Sequence, residues 1–340
     1  MMTSPPPDPV VKNATHLRGV LGFGAASLGN LYRAINDETA QSTLTAALDA
    51  GITHFDTAPH YGQGLSERRL ADALLASGKP FSLSTKVGRR LVPIAPPAPG
   101  TMRHGFVDGD PFEPEFDYSY DGVMSAFEDS QKRLRGARVS VLLAHDIGRV
   151  THGADHARHL KDFLDGGYRA MRDLKDQGVI DAIGLGVNEW QVCEEVLAHA
   201  DLDIVLLAGR YTLLEQTALD SFLPLCVQRK VAVLAAGPFN SGILSGGDAY
   251  NYSPAPEAIR AKVKALKTVC EAHGVPLAAA ALQFPVAHPA VTRVVAGMAS
   301  PAEVAANAAL FAQHVPLELW DDLKAQGLLR ADAVVPEPVA

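Results

Sequence analysis

The chain has 340 residues, 47% of them hydrophobic, and a formal net charge of −8 without any block of lysine or arginine. That composition supports a large core and argues against a nucleic-acid surface. Its three cysteines, Cys193, Cys226 and Cys270, lie far apart without C-x-x-C spacing, which points to a reducing compartment and to no metal site.

The first ten residues are proline-rich and lack the apolar core of a signal peptide. No apolar run reaches the ~18 residues of a membrane span. A cytoplasmic protein is expected, with residues 1–15 a flexible N-terminal tail and residues 331–340 a C-terminal tail. Eight short apolar runs then read as strands: Val20–Gly24, Thr53–Phe55, Phe81–Thr85, Ser140–Ala144, Ala182–Val187, Ile204–Ala208, Val231–Ala235 and Thr292–Ala296. Most are continuous rather than alternating, as parallel strands buried on both faces are. Helical stretches separate them. Asp37–Ala50 puts Ala40, Leu44, Ala47 and Leu48 on one face, carries Asp37 and Glu38 in its first turn and is stopped by Gly51. Asn188 is placed to cap a helix running to His199. Ser253 is placed to start one running to His273, with Gly274 behind it. Ser300-Pro301-Ala302-Glu303 has capping-box spacing with proline at the first helical position.

Eight β-then-α units without a composition break predict a single α/β domain over 16–330, a closed (β/α)8 TIM barrel. A doubly wound open sheet fits less well, because Gly22-Phe23-Gly24-Ala25-Ala26-Ser27 is not a G-x-G-x-x-G fingerprint. One segment breaks the rhythm. Arg90 to Tyr120 holds Pro93, Pro96, Pro97, Pro99, Pro111 and Pro114. A loop this long in a compact domain is usually functional or disordered. Following the third strand, it is expected at the barrel's C-terminal face as a lid over the substrate.

Four polar residues stand just beyond predicted strands two, three and four: Asp56, then Tyr61, Lys86 and His145. A barrel turns all four to the end where such enzymes keep their sites. Tyrosine, with a pKa near ~10, is a poor base at neutral pH. A lysine cation beside it favours the phenolate. A carboxylate can hold that lysine, and a histidine can hydrogen-bond a substrate oxygen. Singly, each has a plainer reading: a helix cap for Asp56, a solvated rim position for Lys86 or His145. The joint arrangement favours proton transfer coupled to hydride transfer.

Phe55-Asp56-Thr57-Ala58-Pro59-His60-Tyr61-Gly62, followed by Ser66-Glu67, resembles the aldo-keto reductase signature. Ser84-Thr85-Lys86 and the strand end at His145 match that family's next catalytic segments, Gly184 to Asn188 its cofactor segment, and Gly297 to Asn307 its adenosine segment. The resemblance runs from about Leu21 to about Phe311. It implies a catalytic tetrad of Asp56, Tyr61, Lys86 and His145 and a nicotinamide dinucleotide without metal. It also implies cofactor contacts from Gly24, from Asn188 to the carboxamide, from the turn Gly237-Pro238-Phe239-Asn240-Ser241-Gly242, and from Gly297, Ser300, Glu303 and Asn307. A glycine-rich turn can cradle a pyrophosphate through its N–H groups. For Asn188 a helix cap is the plain alternative, and the two roles are compatible.

The chain departs from the family in two places. Ala208 stands where many members have glutamine, and Ala236 where many have a stacking aromatic ring. Tyr211 is therefore a candidate for positioning the nicotinamide or the substrate, with loop packing as its alternative. Members that prefer NADP carry lysine and arginine around the 2′-phosphate; here those positions are Gly297 and Glu303. A carboxylate there repels a phosphate and suits a ribose diol, so NAD is expected over NADP, although Glu303 also fits the capping box.

The segments 116–122, 145–148, 208–216 and 237–242 resemble the branch that holds L-fucose (D-threo-aldose) 1-dehydrogenases and pyridoxal 4-dehydrogenases. Both oxidise an aldehyde held as a cyclic hemiacetal, giving a lactone. The expectation is an aldose 1-dehydrogenase acting on a sugar of the L-fucose, D-arabinose or L-galactose type. Pyridoxal is the alternative substrate. Tyr118, Tyr120, Asp146 and Arg210 are candidates for substrate contacts, with packing or solvation as the plain alternative. An NADPH-linked aldehyde reductase and a nicotinamide-binding regulatory subunit are the rival functions. The partner is a small molecule; the sequence leaves the oligomeric state open.

Overall fold

The apolar runs form the staves of one closed barrel. The computed structural model describes residues 20–337. Its barrel strands are β1 (Leu21–Gly24), β2 (His54–Asp56), β3 (Ser82–Val87), β4 (Val141–His145), β5 (Ala182–Val187), β6 (Ile204–Ala208), β7 (Ala232–Ala236) and β8 (Val291–Gly297). Each pairs in parallel with its neighbours in sequence, and β8 closes onto β1 from Leu21↔Val294 to Gly24↔Gly297. Closure leaves no edge strand in the barrel. The predicted strands hold to within one or two residues, but several reach further at their C-terminal ends. Asp56, Lys86 and His145 are therefore members of the ladder rather than residues just beyond it.

The predicted helix after β1 spans Asp37–Asp49 and buries Ala40, Leu44, Ala47 and Leu48 as expected. Its cap is Asn36, whose side chain accepts from Thr39 N. Ser300 caps Pro301–Ala312 by accepting from Glu303 N, while the Glu303 carboxylate reaches back to Ala299 N. Two helix starts differ from expectation. The helix after β5 begins at Gln191, because the Asn188 amide is engaged with Asp146 instead of capping. The long helix Glu257–Ala272 begins after Pro256, because Ser253–Pro254 pairs with Ala249–Tyr250 in a short antiparallel hairpin. Gly274 follows it in a left-handed conformation.

The proline-rich segment is not a loop without structure. Arg89–Pro93 runs antiparallel to Phe112–Phe116, and the excursion between them carries a smaller hairpin of Met102–Arg103 and Phe106–Val107. A two-stranded ladder has only edge strands, which tolerate Pro93 and Pro114. The smaller hairpin docks on the segment after β1 through Tyr32 N to Gly105 O and Val107 N to Asn30 O. Its Phe106 is buried. At the far end, residues 331–337 were expected to belong to a tail. They lie on the barrel, with Ala333 buried and Val335 packed against the core. Residues 1–15 and 338–340 lie outside the described residues. Among the described residues no helix is long and apolar enough to cross a membrane.

The segment after β1 is held by a buried cation. Arg69, on the helix Leu65–Ser77, donates to Leu28 O, Asn30 Oδ1, Ile35 O and Asp37 Oδ1 at 2.7–2.9 Å. Arg69→Met keeps the stem and leaves two carbonyls unpaired. An orphaned buried group costs about 1–3 kcal/mol. The variant is expected to lose roughly 2–5 kcal/mol in urea unfolding, and a loss under 1 kcal/mol would contradict this account.

Candidate active site

The period of two along a strand sends Asp56 on β2, and Ser84 and Lys86 on β3, into the barrel. Asp56 stands opposite Ser84 in the ladder. Lys86 Nζ donates to Asp56 Oδ2 at 2.7 Å, to Thr57 O at 2.9 Å and to Tyr61 Oη at 3.1 Å. The side chains of Lys86 and Asp56 are only 1% and 4% exposed. An ammonium so buried needs all three of its N–H groups satisfied, and here they are. Burial works against the Lys86 charge, but Asp56 and Tyr61 together raise its pKa above the ordinary value. Burial raises the Tyr61 phenol above its ordinary value, and the Lys86 ammonium offsets part of that rise.

Tyr61 opens a short 3-10 turn after β2, at a point where two backbones meet. A Cβ on Gly62 would lie 2.5 Å from Gly29 O, and one on Gly29 would lie 2.5 Å from the Tyr61 carbonyl carbon. Gly62 also has φ +64°, a left-handed value. The motif residues behind it have structural partners. Ser66 Oγ donates to Ala25 O and bonds Thr57 Oγ1. The buried Glu67 accepts from Thr85 Oγ1 and from Arg133 Nε, both at 2.6 Å.

His145 meets Tyr61 edge to face, with ring centres 5.9 Å apart. Burial, together with Arg89, Lys86 and His60, holds its pKa well below the usual imidazole value, so the ring is neutral. Its Nδ1 has no hydrogen-bond partner among the described residues, and Nε2 lies 3.5 Å from Asp146 Oδ2. Asp146 has φ +47° and is held from two sides. Arg89 Nη2 reaches Oδ2 at 2.5 Å, and Asn188 Nδ2 reaches Oδ1 at 3.1 Å. The sequence reading missed Arg89. Its only sequence signal is its position three residues after Lys86.

Rings surround this cluster. His60 lies edge-on to Phe106 at 5.5 Å and to His145 at 5.9 Å, with His104 at 5.8 Å. Burial and nearby cations lower the His60 pKa to about 3.

On the other side of Tyr61 a cleft of about 330 Å³ runs along the strand ends. Asp56, Tyr61, Asn188 and Gly297 are among the residues that line it. Its floor includes Leu206, Ala208, Ala236 and Val295, all small or aliphatic. Of the expected cofactor residues, Gly24, Pro238, Phe239 and the glycines at 237 and 242 line it, as does Ser241. The turn over residues 240–242 has three successive positive φ values, of 47°, 62° and 102°. Asn240 is fixed there by bonds to Gly209 O and Thr212 Oγ1. A Cβ at Gly242 would meet nothing within 4 Å, and one at Gly297 only Gly24 O at 4.0 Å. An open, glycine-bordered groove with an apolar floor suits a dinucleotide.

Tyr252 also lines the cleft, from the hairpin at Ala249–Pro254, and was not foreseen. Its N–H donates to Ser241 Oγ and its hydroxyl to Asn188 Oδ1. Ser300, Glu303 and Asn307 lie on the cap and helix beyond Gly297, outside the lined cleft. The adenosine end was expected to lack a cation. Arg33, from the segment after β1, supplies one and pairs with Glu303 Oε1 at 3.1 Å.

Three candidates are engaged elsewhere. The buried Tyr118 donates its hydroxyl to His145 O at 2.6 Å. Tyr120 donates to Asp173 on an outer helix. Tyr211 is buried against Phe284 and His288 and does not line the cleft. Arg210 borders a neighbouring pocket rather than this cleft, donating to Asn188 O and Asn251 Oδ1.

Residues 20–325 match the model of the Aldo/keto reductase family. The chain is 44% identical over 322 residues to the pyridoxal 4-dehydrogenase of Microbacterium luteolum, covering 91% of this chain and 94% of that one. It is 38% identical over 311 residues to the D-threo-aldose 1-dehydrogenase of a Pseudomonas species, covering 89% and 92%. An aldo-keto reductase from Bacillus halodurans, solved in its holo form, superposes with a TM-score of 0.68 at 26% identity over 93% of each chain.

The buried pair gives a direct test of the site's construction. Lys86→Met strands the Asp56 carboxylate and is expected to cost about 3–5 kcal/mol, while Lys86→Met with Asp56→Leu regains most of it. Thermal and urea unfolding read both. A single variant as stable as the parent would contradict the pairing.

Proposed function

The chain belongs to the aldo/keto reductase family, and from that premise we propose that it oxidises a cyclic hemiacetal to a lactone, with Tyr61 as the acid/base. The observation that carries this is the Tyr61–Lys86–Asp56 contact set beside the neutral His145. A bound nicotinamide supplies the hydride acceptor. The cleft from Tyr61 to Gly297 would hold it, with Asn188 at the nicotinamide end and the 237–242 turn toward the pyrophosphate. The hemiacetal carbon already bears a hydroxyl, so one proton acceptor suffices. Tyr61 Oη takes the hydroxyl proton as the C–H bond breaks. Lys86 opposes the rise that burial imposes on the Tyr61 phenol and so favours the phenolate that accepts the proton, and neutral His145 orients the substrate oxygen. Cys193, Cys226 and Cys270 are all buried, which fits a reaction without a thiol intermediate.

An aldose of the L-fucose, D-arabinose or L-galactose type is one substrate of this form, in keeping with the relative named for D-threo-aldose. A second reading, pyridoxal, is favoured by a specific observation. The walls beside Tyr61 and His145 are the rings of His60, Phe106 and His104, which suit a flat aromatic hemiacetal better than one rich in hydroxyls. The relative named for pyridoxal points the same way. Incubation with NAD and each compound in turn, following the reduced cofactor, separates the two. Tyr61→Phe is expected to lower kcat by at least ~100-fold while leaving cofactor Kd unchanged. Turnover that survives the substitution would overturn the mechanism.

We also propose NAD over NADP. Arg33 could bind a 2′-phosphate, but its guanidinium is paired with the Glu303 carboxylate, which would repel one. Glu303→Gln frees Arg33 and is expected to improve kcat/KM for NADP about tenfold relative to NAD, and Arg33→Ala in that background to cancel the gain. A parent enzyme that uses NADP as well as NAD would sink this assignment.

A further inference from the structure

Barrel interiors are ordinarily filled by layers of branched aliphatic side chains. Here one interior column is polar from the middle of the barrel to the Tyr61 end. His54 and Asp56 on β2 alternate inward opposite Ser82 and Ser84 on β3. Ser82 Oγ lies 3.3 Å from His54 Nδ1, and His54 Nε2 lies 3.4 Å from Ser84 Oγ. Ser84 Oγ lies 2.7 Å from Asp56 Oδ1. His54 is 2% exposed and Ser84 is 0% exposed.

The direction of these bonds follows from counting protons. An ionised carboxylate only accepts, so the single hydroxyl proton of Ser84 goes to Asp56 Oδ1. The bond between Ser84 and His54 must then be donated by His54 Nε2–H. Burial, with Arg293 and Lys86, lowers the His54 pKa to about 3, so the ring is neutral. A neutral ring has one donor, and Nδ1 is left to accept from Ser82. Every donor in the column points toward Asp56.

We propose that Ser84, backed by His54, is a positioning residue for proton transfer at Tyr61: it pins the Asp56 carboxylate so that Lys86 keeps one N–H on the phenol oxygen. The physical reason is that a carboxylate turns freely about its terminal torsion. With Oδ1 held by Ser84, only Oδ2 faces Lys86. Without Ser84, both oxygens compete for the ammonium and draw it away from Tyr61. The groups that face Tyr61 are Asp56 from β2, Lys86 from β3, His145 with the following Asp146 from β4, His60 from its own turn and Tyr252 from the 249–254 hairpin. Those that face His54 are Lys86 and, from β8, Arg293. Ser84 does not line the cleft, and of the residues that do, its hydroxyl bonds Asp56, so its removal deletes no lining side chain.

This proposal rests on Tyr61 being the proton acceptor, and the test separates the two. Ser84→Ala is compared with the parent in two ways. In the absence of cofactor and substrate, ultraviolet difference titration against Tyr61→Phe reads the ionisation of Tyr61 alone. In turnover, the pH profile of hemiacetal oxidation reads its effect on rate. The expected result is a tyrosinate transition and a rising limb both moved up by about one pH unit, with kcat about tenfold lower at neutral pH, recovering at alkaline pH, and cofactor Kd unchanged. His54→Leu moves both in the same direction by less. An unmoved tyrosinate transition overturns the proposal, as does a kcat loss that is equal at every pH. If the protein oxidises neither sugar nor pyridoxal, the titration still decides the role of Ser84.

Discussion

An ammonium group sits inside this barrel, and much of the surrounding architecture exists to keep it there. Lys86 is 1% exposed, so its charge is stable only where three acceptors converge. Asp56, the Thr57 carbonyl and Tyr61 provide them. That convergence requires β2 and β3 to be paired in a single register, since a one-residue slip sends Asp56 or Lys86 to the outer face. The register is secured on the far side of β3 by Thr85, whose hydroxyl bonds the buried Glu67, itself paired with Arg133. Glu67 thus supports the site without touching it.

The two sides of Tyr61 differ in character. Toward the cleft the floor is alanine, valine and leucine, and the rim is glycine. Toward His145 the walls are rings and a largely buried ion pair, Arg89 with Asp146. Non-glycine residues in left-handed conformations gather along this face, including Gln63, Asp146, Asn240, Ser241, Asn251 and Tyr252. Such conformations each cost of order 1 kcal/mol and persist only where tertiary contacts over-determine them. The neighbouring ion pairs and side-chain bonds supply that constraint.

The barrel was legible in the sequence because parallel strands buried on both faces leave continuous apolar runs, and eight of them were countable. Asp56, Tyr61, Lys86 and His145 were legible because each ends such a run or follows one closely. What escaped was set by distance along the chain. Arg33 meets Glu303 across 270 residues, and Arg89 meets Asp146 across 57. No local pattern announces either pair. For the tyrosines of the proline-rich segment the plainer alternative, packing, is the one with partners in the fold. Tyr118 and Tyr120 look like exposed loop aromatics, but one hydroxyl holds the His145 carbonyl and the other an outer-helix aspartate. The segment itself was read as a loop because its prolines suppress strand signals, yet an isolated two-stranded ladder has room for them.

The contact of Gly29 with Gly62 constrains more than the two glycines. Each backbone fills the space in which the other's side chain would stand, so a methyl group on either one collides with main-chain atoms that cannot rotate aside. Loss at one position cannot be compensated by a smaller residue at the other, because none exists. The pair is therefore a single steric constraint: side chains around Tyr61, the hairpins above it and the groove beside it have room to change, while this crossing of bare backbone admits no substitution on either side.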